Sequence, residues 1–384
     1  MRCASLTTVA AICAAMLAGP LAAQTAKRVP IISGAMGLNL LVEVDGTVKS
    51  WGSPSADGGF YGDGTDNSGT RKVPTPIAGV HDIVDAAVGY DHALLLSADG
   101  SVLGWGRNNG CALALSDDRR RYAPVPIPGV QGAKQVAASR HFSAVVLTDG
   151  TVQVWGTNEG GLLANGTSGY DTECAGRPVA VEGLTGVKRI AVSDEQVLAL
   201  KDNGTVWGWG DNTNGQLCDG TTEKRNRPVQ MKGITNAVDV AIGAAAIVVL
   251  GDGSVRMCGI NGDGALADAP KGAKRTTPFQ VGGITSAVAA RTAAGSTMVR
   301  LRNGTLMGWG SGMFGSLGDG FIDRVTPKPH PPVGLGPVLV HYYASNSGYG
   351  VRADGTIMAW GIYVGGSKEW ALTPVPFFKV KLND

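Results

Sequence analysis

The chain has 384 residues, of which 33 are Lys or Arg and 31 Asp or Glu, for a formal net charge of +2. That balance excludes the strongly basic surface a nucleic-acid partner requires. Charged residues are only 17% of the chain, and its 58 glycines are roughly twice ordinary usage, a turn-rich and mostly buried β composition.

Taken in chain order, the first segment reads MRCASLTTVAAICAAMLAGPLAAQTA. One Arg, an apolar stretch from Leu6 to Leu21, a Gly19-Pro20 break and then small residues predict a signal peptide over 1–23, cut after Ala23. The stretch is too short to span a bilayer and carries a helix breaker. The expectation is an exported chain, secreted or periplasmic, with no membrane span once the signal is gone.

From residue 24 to 384 the sequence repeats. DGTVKSWG (45–52) returns as DGSVLGWG, DGTVQVWG, NGTVWGWG, DGSVRMCG, NGTLMGWG and DGTIMAWG, at starts 49–54 residues apart. A fixed period of this size means one supersecondary unit copied because it cannot bury its apolar face alone. Apolar runs on both sides of Asp-Gly or Asn-Gly predict hairpins with type I′ turns. Those runs do not alternate cleanly, so strands covered on both faces are expected. Irregular loops such as RNNGCALALSDDRRRYAP (107–124) follow each Trp-Gly. Each ends in a proline, after which an outer strand is placed because proline lacks a donor.

Seven units with apolar first and last copies argue for closure over an open stack. The predicted fold is all-β: a seven-bladed propeller of about four-stranded blades, its ring closed by N- and C-terminal strands sharing a blade. Trp51, Trp105, Trp155, Trp209, Trp309 and Trp360 are expected as structural plugs between blades.

Four cysteines remain after signal removal, Cys111, Cys174, Cys218 and Cys258, and they allow three pairings. Cys111 with Cys174 is one candidate bridge, since both lie in corresponding loops of neighbouring repeats. Cys258 stands where six copies have Trp and is expected as a buried thiol. Metal ligation has no supporting spacing.

The pattern G-x-x-H, D-G-T-V-x-x-W-G, N-x-x-G-Q-L and R-x-x-P-x-x-V, best copied at 209–229, resembles the regulator of chromosome condensation repeat family. The resemblance covers residues 30–380 and implies a seven-bladed propeller. Members include exchange factors for a small GTPase, protein-binding modules, a plant light sensor and a secreted bacterial inhibitor of β-lactamase, and this chain is most similar to the exported bacterial members. Departures are clear: the strand histidine is kept only at His92 and His141, and Trp is lost at Cys258.

Catalytic motifs are absent from the sequence, and no cofactor or metal is expected. Arginines three residues before a loop proline (Arg71, Arg121, Arg225, Arg275, Arg324) are read as staples to acids in their own loops. Loop aromatics beside arginine suit protein recognition. The candidate contacts are Phe60, Tyr61, Arg119, Arg120, Tyr122, Tyr170, Phe314 and Phe321. The functional expectation is a monomeric exported binding module for a protein or cell-surface polymer, without catalysis. The alternatives are a secreted enzyme with its site at the central opening, or an exchange factor-like regulator of a GTPase.

Overall fold

The computed structural model describes residues 28–53, 61–67, 69–169, 174–267, 269–293, 295–344, 347–362 and 370–382. The signal segment therefore lies outside the described residues. These residues form seven four-stranded antiparallel sheets, each from strands consecutive in sequence. Blades 1 to 7 span 31–76, 83–126, 133–180, 187–230, 237–280, 287–330 and 340–379.

Blade 2 shows the plan. An innermost strand (Ile83–Val88) leads to two middle strands (His92–Ser97 and Val102–Gly106), and a long loop leads to the outermost strand (Arg121–Pro126). The innermost strands neighbour one another in unbroken cyclic order, with blade 7 returning to blade 1. The ring is a seven-bladed propeller.

The repeated Asp-Gly hairpin joins the two middle strands. Its geometry differs from the expected type I′ turn, because only the glycine has positive φ: Gly100 at 84°, while Asp99 stays in the ordinary region. Gly100 N donates to Ser97 O at 2.9 Å, and Asp99 Oδ1 accepts from Ser101 N and Oγ at 2.9 and 2.7 Å. This is a type I turn closed by a left-handed glycine, with the Asp side chain fixing its exit. The glycine has a second duty: a Cβ on Gly100 would lie 2.8 Å from Gly132 Cα of the connection entering blade 3. Its carbonyl accepts from Ala133 N of that same connection at 3.0 Å. Each turn thus docks the start of the following blade.

Two further expectations are corrected. The loop prolines lie inside the outermost strands, as Pro74, Pro124, Pro178, Pro228, Pro278 and Pro327. An edge strand turns alternate N–H groups to solvent, so a missing donor costs nothing there. The terminal strands do not share a blade, since blades 1 and 7 are each complete in sequence. Closure is by side-chain packing instead. Ile32, Leu41 and Trp51 of blade 1 pack on Tyr349, Val351 and Ile357 of blade 7, Trp51 and Tyr349 meet edge to face at 5.9 Å, and Tyr342 Oη donates to Pro30 O at 2.5 Å. Val380 N donates to Gly355 O at 3.0 Å, so the C-terminal segment fills the place that inter-blade connections take elsewhere.

The core is the set of spaces between neighbouring blades. Ala93 and Leu95 of blade 2 face blade 1 with Trp105, whereas Leu94 and Leu96 of the same strand face blade 3 and Trp155. Both faces of the strand are covered, which is why apolar residues run continuously along it.

Candidate functional site

Long loops and the turns between the first two strands of each blade lie on one face of the ring, opposite the Asp-Gly turns. The tryptophans anchor this loop face. Trp155, Trp209, Trp309 and Trp360 are fully buried. Their Nε1 atoms donate across the blade boundary to Ala112 O, Leu162 O, Ala265 O and Ser316 O at 2.8–3.0 Å. Each acceptor lies in the long loop of the preceding blade, so the indole fixes a loop that has little regular structure of its own. Trp51 and Trp105 are equally buried.

Two disulfides add to this framework. Cys111 in the blade 2 loop bonds Cys174 at the outermost strand of blade 3, and Cys218 in the blade 4 loop bonds Cys258 of blade 5. The second corrects the expectation of a free buried thiol at Cys258. Its Sγ lies 3.8 Å from Gln216 O, the carbonyl whose counterparts receive indole N–H groups elsewhere. A covalent link therefore replaces the missing plug at the blade 4/5 boundary.

The candidate contact residues do not form one surface. Phe60 and Tyr170 lie outside the described residues. Tyr61 is buried, a correction to its reading as an exposed contact. Its hydroxyl is 2.7 Å from Gly52 O and Gly69 O, and the Arg71 guanidinium stacks 4.0 Å above its ring while pairing with Asp63. Tyr61 closes its own loop. Arg119 is exposed, and Arg120 sits 5.9 Å over the half-buried ring of Tyr122. Tyr122 O accepts from Gly64 N at 2.9 Å, tying blade 2 to the blade 1 loop. Three of the five expected arginine staples are present, at Arg71–Asp63, Arg121–Asp117 and Arg225–Asp219, whereas Arg275 and Arg324 lie over the rings of Phe279 and Phe321.

Phe314 and Phe321 belong to a different environment, the loop face at blades 6 and 7. Met313, Phe321, Ile322, Val325 and Trp370 are each 37–51% exposed, and the Phe314 ring meets Trp370 edge to face at 5.6 Å. Arg324 lies 4.5 Å over the Phe321 ring. The loop is braced, with Gly312 N donating to Arg324 O at 2.8 Å, Asp323 N to Gly312 O at 3.0 Å, and Gly320 N to Leu372 O of blade 7 at 2.9 Å. Phe314 has φ 57° at the register where blades 2 and 3 have Gly110 and Gly160. A bulky residue in the left-handed region costs about 1–2 kcal/mol. Sequence reading missed Met313, Ile322, Val325 and Trp370; Trp370 alone carried a signal, as a tryptophan outside both the Trp-Gly period and the middle strands.

The central channel is lined by polar and apolar residues together, and its charged side chains differ in sign between the loop-face mouth and the waist. At the loop face the mouth is lined by Asp194, Glu195 and Asp263 with Tyr90. Tyr90 Oη donates to Asp194 Oδ2 at 2.5 Å. Burial and the neighbouring Asp211 and Glu159 raise the Glu195 carboxyl. Deeper, the innermost strands present Asp85, Lys134, Lys188, Arg189 and Arg291 around a cavity of about 560 Å³. Burial raises Asp85 to about 6, against the N–H groups of Val136 and Ala86 that hold it charged.

Two segments of the chain, 99–146 and 203–250, match a family described as the regulator of chromosome condensation (RCC1) repeat, and 83–111 and 187–216 match a second description of the same repeat. Those segments carry RCC1 repeats. Among solved structures the chain is similar to Saccharomyces cerevisiae Prp20p, at 20% identity and a TM-score of 0.75 over 90% of this chain and 88% of that one. That structure is described with its binding to Gsp1p and histones. Human WBSCR16 is similar at 20% identity and a TM-score of 0.73, covering 87% and 94% of the two chains. These likenesses bear on the fold alone, which they share over most of the chain.

Within the RCC1 repeats one register needs correction. His92 is the first residue of its strand, and Phe142, not His141, occupies that place in blade 3. His92 is buried with Nε2 2.9 Å from Ser143 Oγ, and burial lowers it to about 4. His141 sits in the preceding turn, its Nε2 3.5 Å from Asp91 Oδ2. Among the described residues no cluster of three metal-ligating side chains occurs, and no helix is long and apolar enough to cross a membrane.

Proposed function

We propose that this RCC1-repeat ring is an exported protein-docking module that engages its partner through the loop face of blades 6 and 7. The observation that carries the reading is the braced apolar patch of Met313, Phe321, Ile322, Val325 and Trp370 around the backbone-strained Phe314. Exposed aromatics with an arginine over one ring, on a loop held by hydrogen bonds, are the composition of protein hot spots. Strain stored at one aromatic, where sister loops use glycine, is what a binding site tolerates and a scaffold loop does not need. The patch carries methionine, isoleucine and valine beside its aromatics, which favours a protein over a sugar polymer. Prp20p, of the same fold, binds proteins; at 20% identity its partners do not transfer.

Export is supported by the N-terminal sequence and by two inter-blade disulfides, bonds that persist in oxidising compartments. A fusion of residues 1–30 to a reporter active only outside the cytoplasm should give signal, and a silent fusion would reject export. Docking is tested by capture from the exported protein fraction with wild-type chain and with Phe321→Ser/Trp370→Ser in parallel. A partner retained by the wild type and lost by the variant, whose melt is unchanged, supports the reading. Equal retention by both rejects it.

A further inference from the structure

The channel waist holds more positive charge than its structural task requires. On three innermost strands one side chain accepts a backbone N–H from the next blade. Asp85 Oδ2 receives Val136 N at 3.1 Å, Gln135 Oε1 receives Ile190 N at 2.8 Å, and Asp239 Oδ2 receives Ala290 N at 2.9 Å. These clamps need acceptors, and Arg189, which takes the same register in blade 4, cannot be one.

Asp239 consequently accepts two hydrogen bonds on Oδ2, from Ala290 N and Arg291, and pairs by charge alone with Arg189, its Oδ1 having no hydrogen-bond partner. Both arginine contacts are at 3.1 Å. One carboxylate is shared between two guanidiniums, each engaged through a single nitrogen, and the buried Nε of Arg189 has no hydrogen-bond partner. Both arginines line the cavity of about 560 Å³, which Lys134 and Lys188 also border. That volume lies within the ~300–1,000 Å³ of small-molecule sites. Two guanidiniums, each engaged on Asp239 through one terminal nitrogen and both lining one cavity, form a receptor for a planar or tetrahedral oxyanion.

We propose that the waist of the channel binds a small molecule bearing a carboxylate or phosphate group, held by Arg189 and Arg291. The ligand enters from the end carrying Lys134 and Lys188, because Asp194, Glu195 and Asp263 at the opposite mouth repel anions.

Calorimetric titration of the whole oxidised chain at low ionic strength tests this, with inorganic phosphate in one arm, citrate in a second, and chloride at matched ionic strength as control. Saturable binding of either probe at or below millimolar concentration is expected, and the arm that binds names the group. Arg291→Gln should weaken binding at least tenfold, and the exposed pair Lys134→Gln/Lys188→Gln two- to fivefold. The lysine pair decides the matter if the arginine variant does not fold. No saturable heat with either probe, or an affinity unchanged in the variants, would overturn the proposal.

Discussion

Trp155 illustrates how one side chain sets both spacing and loop position. It is fully buried between blades 2 and 3 and its N–H satisfies Ala112 O. Trp155→Ala should cost about 3–5 kcal/mol, from the lost transfer energy and the cavity left behind, read as a lowered midpoint in urea. Buried histidines make the second residue-scale prediction. His92 stands near 4 and His341 near 3, both held below the ordinary 6.5 by burial. The unfolded chain takes up these protons as pH falls below about 6.5 while the native ring does not, so stability is lost from there down to about pH 4. Asp85, raised to about 6, acts with opposite sign and offsets about one histidine. His92→Phe, with the residue blade 3 uses at that register, should flatten the acid limb by about 3 kcal/mol between pH 6.5 and 4; an unchanged pH profile of the urea midpoint would show that His92 does not titrate this way. The indoles were legible in the sequence because they recur at a fixed place in the period. The His141 register was not, since a one-residue offset at a strand end leaves no trace in composition.

At the scale of elements, blade boundaries are sealed by two interchangeable devices. Six carry an indole, and the blade 4/5 boundary carries Cys218–Cys258 with a sequence separation of 40. A cross-link closing a loop of that length contributes about 4 kcal/mol in the chain-entropy description. Reduction should therefore lower the melting temperature, and Cys218→Ala/Cys258→Trp should melt above Cys218→Ala/Cys258→Ala because Gln216 O is already placed to receive an indole N–H. Equal melts for the two double variants would show that the site is not a vacant plug position. The hairpins themselves could be read from Asp-Gly, but not the turn type: type I with a left-handed glycine and type I′ share that signature. Edge prolines misplaced the outermost strand for a related reason, since proline is compatible with a position inside an edge strand as well as before one. Of the apolar loop at blades 6 and 7, Phe314 and Phe321 were legible as loop aromatics. The rest of the patch was not, because exposure of Met313, Ile322, Val325 and Trp370 depends on how blades 6 and 7 meet.

For the whole molecule, a seven-fold period announced the ring, yet its closure was misread. Terminal phase alone cannot distinguish a shared blade from two complete blades that pack face to face, and here Trp51, Tyr349 and Phe377 make the contact. The seam between blades 1 and 7 thus relies on side chains without an exchanged strand, and it carries neither disulfide. Tyr349→Ala should open this boundary selectively, seen as faster hydrogen exchange in 31–52 and 347–361 than elsewhere; uniform exchange around the ring would mean the seam is no weaker than other boundaries. On the proposed reading, rigid blades present an uneven loop face on which the patch at blades 6 and 7 acts as the dock. Hydrogen-exchange mass spectrometry of the ring with and without its captured protein partner tests that claim most directly. The account predicts protection concentrated at 311–325 and around Trp370. Protection confined to the Asp-Gly face, or to the loops of blades 1 to 3, would contradict it.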